Sequence, residues 1–308
     1  MQITRQDVLV ASRRIEGRVR RTPLLHPAGG ESVWLKCEFL QHCGVFKTRG
    51  AFNRQLAAID TGELSDAGIV VASGGNAGLA HAFVASQLGV QATVFVPESA
   101  PAVKVQRIRE YGAEVRHVGA EYAEAYQAAV DFGLATGAMF AHAYDQPEVA
   151  AGAGTLAEEI LEDEGGIDTI IVAVGGGGLY AGVSATALRR TRIVAVEPER
   201  CPTLSRAMTA GRPVDVEVSG IASDALGARR IGELAFAALE AEPPISVLVS
   251  DEHIIEARAS LWQRYRIAAE FGAATAYAAL LSGRYVPQDD ERVAVVVCGA
   301  NTDPGTLP

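Results

Sequence analysis

Short apolar runs alternate with helical patterns along most of the chain. From Gly68 onward, β-branched segments such as 69–72, 91–96 and 168–174 predict strands, and the longer stretches between them predict helices. Strands that alternate with helices in this way form parallel sheets with crossover helices. The pattern therefore predicts an α/β fold with twisted, mostly parallel sheets flanked by helices.

The individual elements are short and follow one another closely, with no clear linker between them. The final strand is expected to be fully buried, because its run is apolar throughout. A helix near the N-terminus has Thr4 and Asp7 placed as a capping pair. Strands are predicted at 32–39, 69–72, 91–96, 114–118, 168–174, 192–196 and 292–298, and helices at 5–19, through 51 and 56, and at 77–88, 101–111, 121–136, 147–164 and 179–190.

Composition places the chain among ordinary globular proteins. Of its 308 residues, 49% are apolar and 21% charged, which is enough apolar material for a large core. The net charge of -10 is spread along the chain without a basic run, so nucleic acid is not an expected partner. The polar N-terminus and the absence of an apolar stretch of about 18 residues favour a cytoplasmic location without a membrane partner.

The cysteines do not suggest a disulfide framework. Cys37, Cys43, Cys201 and Cys298 are scattered, which indicates a reducing compartment. His42 lies between the first two and adds a third potential metal ligand, but the second pair of ligands that closed zinc sites use is missing. No metal site is therefore expected there.

Four consecutive glycines, Gly175 to Gly178, stand between a predicted buried strand and a predicted helix. Exposed backbone N–H groups and the helix dipole at such a turn can hold a phosphate. The run does not match a dinucleotide loop, because Tyr180 stands where the third glycine should be, and a Walker lysine is also missing. A flexible turn is the alternative interpretation.

Two further segments carry groups suited to chemistry. Lys47 is flanked by apolar residues that would desolvate its amine and lower its pKa, as an imine-forming lysine needs, although a lone lysine is more often a solvated surface residue. The turn Ser73-Gly-Gly-Asn76 offers N–H donors for a carboxylate, and an ordinary N-cap turn is an equal alternative. Cys298, at the end of the last strand, is by default a small core residue.

In this order, the segments resemble the fold-type II pyridoxal-phosphate family of threonine and serine dehydratases, serine racemase and their relatives, over almost the whole chain. Lys36-Cys-Glu38 followed by Gly44-Val-Phe-Lys47-Thr-Arg-Gly-Ala matches the family's lysine segment. The family commonly has Ser where this chain has Val45. The resemblance implies that Lys47 holds pyridoxal 5'-phosphate as a Schiff base, with Phe46 beside the cofactor.

The resemblance also implies roles for the other segments. The Ser-x-Gly-Asn turn holds the substrate carboxylate, and its Asn meets the phenolic oxygen of the cofactor; here Ala77 replaces the usual His. The glycine run holds the phosphate, a glutamate lies near the ring, and a terminal Ser or Cys contacts the pyridine nitrogen. The implied substrate-binding residues are Ser73, Gly74, Gly75, Asn76 and Ala77, and the implied cofactor-binding residues are Phe46, Lys47, Asn76, Gly175, Gly176, Gly177, Gly178, Glu270 and Cys298.

At the level of the fold, the family implies two interleaved lobes like those of the tryptophan synthase β subunit. We expect a large cofactor-binding domain made of residues 1–46 and 147–308 and a small mobile domain of residues 47–146. The family habit is a homodimer. Relatives that bind a cation have a carboxylate where this chain has Thr203, downstream of Glu197, so no metal is expected at that position either.

The implied reaction is β-elimination from L-threonine or L-serine, in which Lys47 removes the Cα proton, the cofactor phosphate assists departure of the β-hydroxyl, and a 2-oxo acid and ammonia form. A neutral thiol at Cys298 cannot hold the ring nitrogen protonated as a carboxylate would, which suits elimination better than transamination. Gly74 stands where racemases place a second catalytic serine, so racemisation is disfavoured.

Other functions stay open from the sequence. Val45 and Ala77 alter two positions close to the substrate, which allows a lyase for another hydroxy amino acid, such as 3-hydroxyaspartate or a hydroxyectoine derivative. A β-replacement enzyme is less favoured because its substrate loop is not evident. From other classes, a non-catalytic pyridoxal-phosphate-binding protein and a purely structural α/β protein remain.

Overall fold

The computed structural model describes residues 2–26, 32–100, 102–187 and 190–307. Its strands form a six-stranded and a four-stranded sheet. The strands are β1 Leu24–Leu25, β2 Val33–Lys36, β3 Ile69–Ala72, β4 Ala92–Val96, β5 Glu114–His117, β6 Met139–Ala141, β7 Thr169–Ala173, β8 Arg192–Pro198, β9 Ile245–Val249 and β10 Val293–Val296.

The six-stranded sheet has the order β1-β2-β10-β7-β8-β9, and the four-stranded sheet has the order β5-β4-β3-β6. Only β1 among the described strands runs antiparallel to its neighbour. Helices cover the faces of both sheets. They are α1 Arg5–Ile15, α2 Lys47–Thr61, α3 Asn76–Leu88, α4 Ala102–Glu110, α5 Tyr122–Thr136, α6 Pro147–Asp163, α7 Gly178–Ala187, α8 Thr203–Ala210, α9 Ser223–Leu226, α10 Glu233–Ala241, α11 Asp251–Tyr265 and α12 Phe271–Leu281.

The apolar pattern predicted the central strands well because their side chains are buried on both faces. Every residue of β3, β4, β7 and β10 is buried. The larger core surrounds the six-stranded sheet, and a separate core fills the space between the four-stranded sheet and its helices. Each sheet is therefore covered on both sides, as parallel sheets require.

Several boundaries differ from the predicted ones. The first helix ends at Ile15 rather than near 19 because Gly17 takes a positive φ of 71°, while the predicted capping box of Thr4 and Asp7 is confirmed. The strand predicted at 32–39 stops at Lys36, since residues 38–40 form a 3-10 turn. Residue 101 and residues 188 and 189, which belong to two predicted helices, lie outside the described residues.

The two sheets draw on different parts of the chain. Residues 69–141 supply the four-stranded sheet, whereas the six-stranded sheet takes strands from before residue 37 and after residue 168. This arrangement gives the two interleaved lobes that the sequence predicted. The domain boundaries at 46/47 and 146/147 stay a prediction, because α2 packs against both α3 and α6.

Glycines bring α2 and α7 into direct backbone contact with α6, which lies between them. A Cβ on Gly50 of α2 would lie 2.6 Å from the carbonyl oxygen of Val149 in α6. On the other side, a Cβ on Gly182 of α7 would lie 2.2 Å from the carbonyl oxygen of Ala150. Both distances are too short for any side chain, so these positions require glycine.

No described helix is long and apolar enough to cross a membrane. The four cysteines, Cys37, Cys43, Cys201 and Cys298, are free thiols.

Candidate active site

Lys47 is the first residue of α2, and the segment that precedes it is held against the end of the last strand. The backbone N–H of Phe46 donates to the carbonyl of Cys298 at 3.0 Å. Val45 and Gly299 form an antiparallel bridge beside this hydrogen bond. The chain ends of two distant segments therefore meet here, and Lys47 lies next to Cys298.

The Lys47 amine lies in a crowded, mostly apolar setting. Its Nζ donates to the carbonyl of Ala143 at 3.2 Å and stands 5.0 Å from the ring centroid of Phe46. Removal from water lowers the pKa of this amine, and the nearby Cys298 and Glu270 oppose that effect. An amine with a lowered pKa is more readily neutral and nucleophilic.

The glycine run follows β7 and leads into α7, which begins at Gly178. Within the described part of the chain, none of its four backbone N–H groups donates to a protein acceptor. The ring of Tyr144 packs on the run, because a Cβ on Gly176 would lie 2.5 Å from ring atoms. Gly177 has a φ of +89°, which favours glycine. Unpaired N–H groups at a helix N-terminus form an anion cradle.

All residues predicted to contact the cofactor line one cavity. Tyr144, Ala225 and Leu226 contribute further parts of its wall. The residues that the sequence predicted and that meet here are Phe46, Lys47, Asn76, Gly175, Gly176, Gly177, Gly178, Glu270 and Cys298.

The predicted carboxylate turn is only partly exposed to this cavity. Asn76 lines it, whereas Ser73, Gly74, Gly75 and Ala77 do not belong to its wall. The Ser73 hydroxyl accepts a hydrogen bond from the N–H of Gly75 at 3.3 Å, and α3 begins at Asn76. Among the described residues, the N–H groups of Gly74, Asn76 and Ala77 have no protein acceptor. The turn thus keeps donors available, and its role in substrate binding stays a prediction.

Asn76 connects this turn to Glu270 on the other side of the cavity. Its side-chain amide donates to Oε1 of Glu270 at 2.7 Å, and its own oxygen accepts from Asn301 at 2.8 Å. Burial raises the pKa of Glu270 to about 7; the charge of Asp224 adds to the rise and the Asn76 hydrogen bond opposes it. The second oxygen of Glu270, Oε2, is buried without a hydrogen-bond partner.

Cys298 is buried at the opposite wall, 6% exposed. Burial, reinforced by the charge of Glu270, raises the pKa of the Cys298 thiol well above its usual range. The group is therefore a neutral thiol at physiological pH.

Glu197 has surroundings that do not fit a cation. Its carboxylate accepts hydrogen bonds from the backbone N–H groups of Leu204 at 2.7 Å and Ser205 at 2.9 Å. Such donors point positive charge at both oxygens, and Thr203 adds a neutral hydroxyl rather than a second carboxylate. Burial raises the pKa of Glu197 to about 7, although these hydrogen bonds oppose the rise.

Sequence reasoning missed two polar groups of the site. Tyr144 follows β6, a strand of three residues that is too short to show a period. Asn301 follows β10 and stood within the terminal motif without a role of its own. Both come after the carboxyl end of a parallel strand, where ligands bind in open α/β sheets, and this position was the available signal.

A family model described as pyridoxal-phosphate dependent enzyme matches residues 15–299. The chain belongs to this family. Its described residues fit the cofactor, because the site offers an amine, an unpaired set of N–H donors and a buried carboxylate oxygen without a partner. The predicted cofactor, fold class and enzyme class are thereby confirmed.

Curated members of the family are similar over nearly the whole chain. The L-threonine ammonia-lyase of Geobacter sulfurreducens is 38% identical over 306 residues, which cover 96% of this chain and 75% of that protein. The phenylserine dehydratase of Ralstonia pickettii is 34% identical and covers 96% of this chain and 92% of its own length. Both proteins carry names of enzymes that act on amino acids.

Solved structures of the family share the same architecture. Maize serine racemase superposes with a TM-score of 0.92 at 29% identity, covering 99% of this chain and 96% of that one. A threonine deaminase from the organism abbreviated T.th. gives a TM-score of 0.88 at 33% identity, with 97% and 99% coverage. These likenesses extend across both sheets, so the relative placement of the two lobes is a family property.

Proposed function

We propose that the protein is a threonine/serine ammonia-lyase that removes water and then ammonia from L-threonine or L-serine and leaves a 2-oxo acid. The observation that carries the proposal is the meeting of the Lys47 amine, the unpaired glycine N–H groups and the neutral Cys298 thiol around one cavity. The names of the threonine ammonia-lyase and threonine deaminase relatives support the same substrate class.

Each wall of the cavity is assigned one part of the cofactor. Lys47 binds its aldehyde, the N–H groups of Gly175 to Gly178 bind its phosphate, and Cys298 faces its ring nitrogen. When bound, pyridoxal phosphate withdraws electrons from the substrate Cα and so acidifies the Cα proton. Asn76 and Glu270 hold each other in place at the remaining side.

Lys47 is the base of the proposed reaction. Its lowered pKa lets the amine accept the Cα proton at neutral pH. The N–H groups of the turn at Ser73 to Ala77 bind the substrate carboxylate and thereby orient the Cα–H bond. Gly74 provides no hydroxyl for a second base, so the proton is removed from one face and elimination is favoured over racemisation.

The test combines a product assay with a cofactor spectrum. We expect the purified protein to form 2-oxo acid and ammonia from L-threonine and L-serine. Lys47→Ala and Lys47→Arg should both lose this activity and the visible band of the lysine-bound cofactor, since arginine keeps the charge but cannot bind the aldehyde. Colour without turnover would instead indicate a non-catalytic cofactor-binding protein, and neither colour nor turnover a purely structural one.

A second candidate substrate class is a β-hydroxy amino acid with an aromatic side chain. Tyr144 lines the cavity and stacks edge-on against His142, which contacts Tyr126 in turn. The relative that this chain matches over 92% of its length is named phenylserine dehydratase. A kcat/KM for 3-phenylserine above that for L-threonine would favour this class. The same profile should include 3-hydroxyaspartate and a hydroxyectoine derivative.

Three further expectations from the sequence belong to the proposal. They are a cytoplasmic location, a homodimer, and a small mobile domain bounded by residues 47 and 146. The scattered free cysteines support the location, and the resemblance supports the dimer. Light scattering on the purified protein checks the dimer, and limited proteolysis with and without cofactor checks the domain boundaries.

A further inference from the structure

Thr203 is a fully buried residue outside the cavity wall, at the start of α8. Its hydroxyl lies between two acceptors, 2.6 Å from the carbonyl oxygen of Gly175 and 3.1 Å from Oε1 of Glu197. Glu197 is itself fully buried and belongs to β8, the strand next to β7. Thr203 thus connects the carboxyl ends of two neighbouring strands, at the first residue of the glycine run.

This contact determines where a backbone N–H of the run points. A peptide unit is planar and trans, so the carbonyl of Gly175 and the N–H of Gly176 point in opposite directions from the same plane. A hydroxyl that holds the carbonyl therefore directs the Gly176 N–H away from Thr203. Gly176 lines the cavity, and among the described residues its N–H has no protein acceptor.

The position of Thr203 is fixed in turn by Glu197. The carboxylate accepts from the N–H groups of Leu204 and Ser205, which are the two residues that follow Thr203. These hydrogen bonds hold the first turn of α8 against β8. Glycine has wide conformational freedom, so the peptide plane at Gly175 gains its orientation from this outside contact.

We infer that Thr203 is a positioning residue for the phosphate end of the cofactor, whose hydroxyl connects Glu197 to Gly175 and orients the Gly176 N–H toward the phosphate. The inference rests on the proposed phosphate-binding role of the glycine run. It concerns the affinity for phosphate, whereas the reaction on the substrate remains the task of Lys47.

The experiment compares two cofactor forms on the apoprotein. Pyridoxal phosphate and pyridoxal differ only in the phosphate, and their dissociation constants are measured by titration of protein fluorescence. We expect Thr203→Val to weaken pyridoxal phosphate binding about tenfold and to leave pyridoxal binding unchanged, since one hydrogen bond in the cradle is misdirected. Thr203→Ser, which keeps the hydroxyl, should restore most of the loss.

Thr169 provides a matched control at the opposite end of β7. It is equally buried, and its hydroxyl donates to the buried carboxylate of Glu291 at 2.5 Å. Thr169→Val removes a threonine–glutamate contact of the same kind, far from the glycine run along the strand. We expect it to lower the free energy of unfolding as Thr203→Val does but to leave both dissociation constants unchanged.

Two results would overturn the inference. One is unchanged pyridoxal phosphate affinity in folded Thr203→Val; the other is an equal loss for pyridoxal and pyridoxal phosphate, which indicates a general structural role. If Thr203→Val does not fold, Thr203→Cys replaces it, because a thiol is a weak donor. Its phosphate-specific affinity should fall below that of Thr203→Ser, and equality would overturn the inference. Failure of the proposed cradle itself has a different signature, namely equal wild-type affinity for both cofactor forms.

Discussion

The side-chain amide of Asn76 donates to Oε1 of Glu270 at 2.7 Å, and so connects the first residue of α3 to the residue that precedes α12. The two helices belong to different lobes. Only one oxygen of the carboxyl group is paired, since Oε2 has no partner among the described residues. Glu270 therefore joins the lobes while remaining an unusually basic carboxylate.

The raised pKa of Glu270 has a consequence for the stability of the apoprotein. Its pKa rises from 4.5 to about 7 on folding, because burial disfavours the charged form. Between these values the folded state binds more protons than the unfolded state, so the stability contribution falls as pH increases, by about 3 kcal/mol in total. Glu270→Gln cannot titrate but still accepts from Asn76.

We therefore expect Glu270→Gln to gain stability relative to wild type as pH rises from about 4 to about 8. Urea unfolding of both apoproteins across this range measures the difference. Parallel stability profiles would show that Glu270 does not titrate as described.

His81 predicts the opposite dependence. It is buried, and desolvation, followed by the charges of Lys47 and Arg54, lowers its pKa from 6.5 to about 3. Below pH 6.5 the unfolded state binds a proton that the folded state excludes, so stability is lost as pH falls. In His81→Leu, Gln55 can keep its hydrogen bond to the backbone carbonyl of residue 81.

The wild type should lose about 3 kcal/mol more than His81→Leu when the pH is lowered two units below 6.5. The measurement is the free energy of unfolding by urea at both pH values. An equal loss in the two proteins would contradict the lowered pKa.

Arg49 should be essential for stability because it neutralises a buried acid two residues after Lys47. Its guanidinium binds Glu38 through two hydrogen bonds of 2.8 and 2.9 Å, and neither side chain is exposed. Arg49→Met leaves the Glu38 charge uncompensated and is expected to cost about 3 to 5 kcal/mol of unfolding free energy.

The control for Arg49 is Arg21→Met. Arg21 pairs with Asp163 at the surface, where its side chain is 52% exposed, and its loss should change stability by less than about 0.5 kcal/mol. Similar effects of the two variants in thermal or urea unfolding would rule out a special role for the buried pair.

Gly182 should not tolerate a methyl group. Its Cβ would approach the Ala150 carbonyl oxygen to 2.2 Å, and backbone cannot move aside as a flexible side chain can. Gly182→Ala is expected to destabilise the protein by about 1 to 3 kcal/mol and to weaken cofactor binding, because α7 carries the end of the glycine run.

Gly165→Ala provides the comparison for Gly182. No heavy atom lies within 4 Å of a Cβ at Gly165, so this variant should match the wild type in both unfolding and cofactor titration. Wild-type behaviour of Gly182→Ala would mean that α6 and α7 are not packed as closely as described.

The sequence predicted those parts of the site that depend on local pattern. Lys47, the turn at Ser73 and the glycine run each follow or precede an element whose period is clear, and the cofactor-binding set does line one cavity. The partners of Glu270 were not predictable, since the contact with Asn76 joins residues 194 positions apart. Pairing across the chain depends on tertiary packing, which leaves no local signal.

The same limit applies to boundaries and to small elements. Gly17 could have marked the end of α1, but the helical period continues past it and masked the stop. β6 has three residues, and nothing in so short a run distinguishes it from a loop. Tyr144 was missed for that reason, although it contacts the glycine run directly.

The glycine contacts on the two sides of α6 have a further meaning for ligand selection. They fix the distance from the amine at the start of α2 to the N–H groups at the start of α7 by the thickness of one helix backbone, at Gly50 and Gly182. Close-packed backbone does not stretch or compress. The protein therefore measures length: a ligand must reach from aldehyde to anion across a set span, and homologues lengthened or shortened by one methylene would engage only one end.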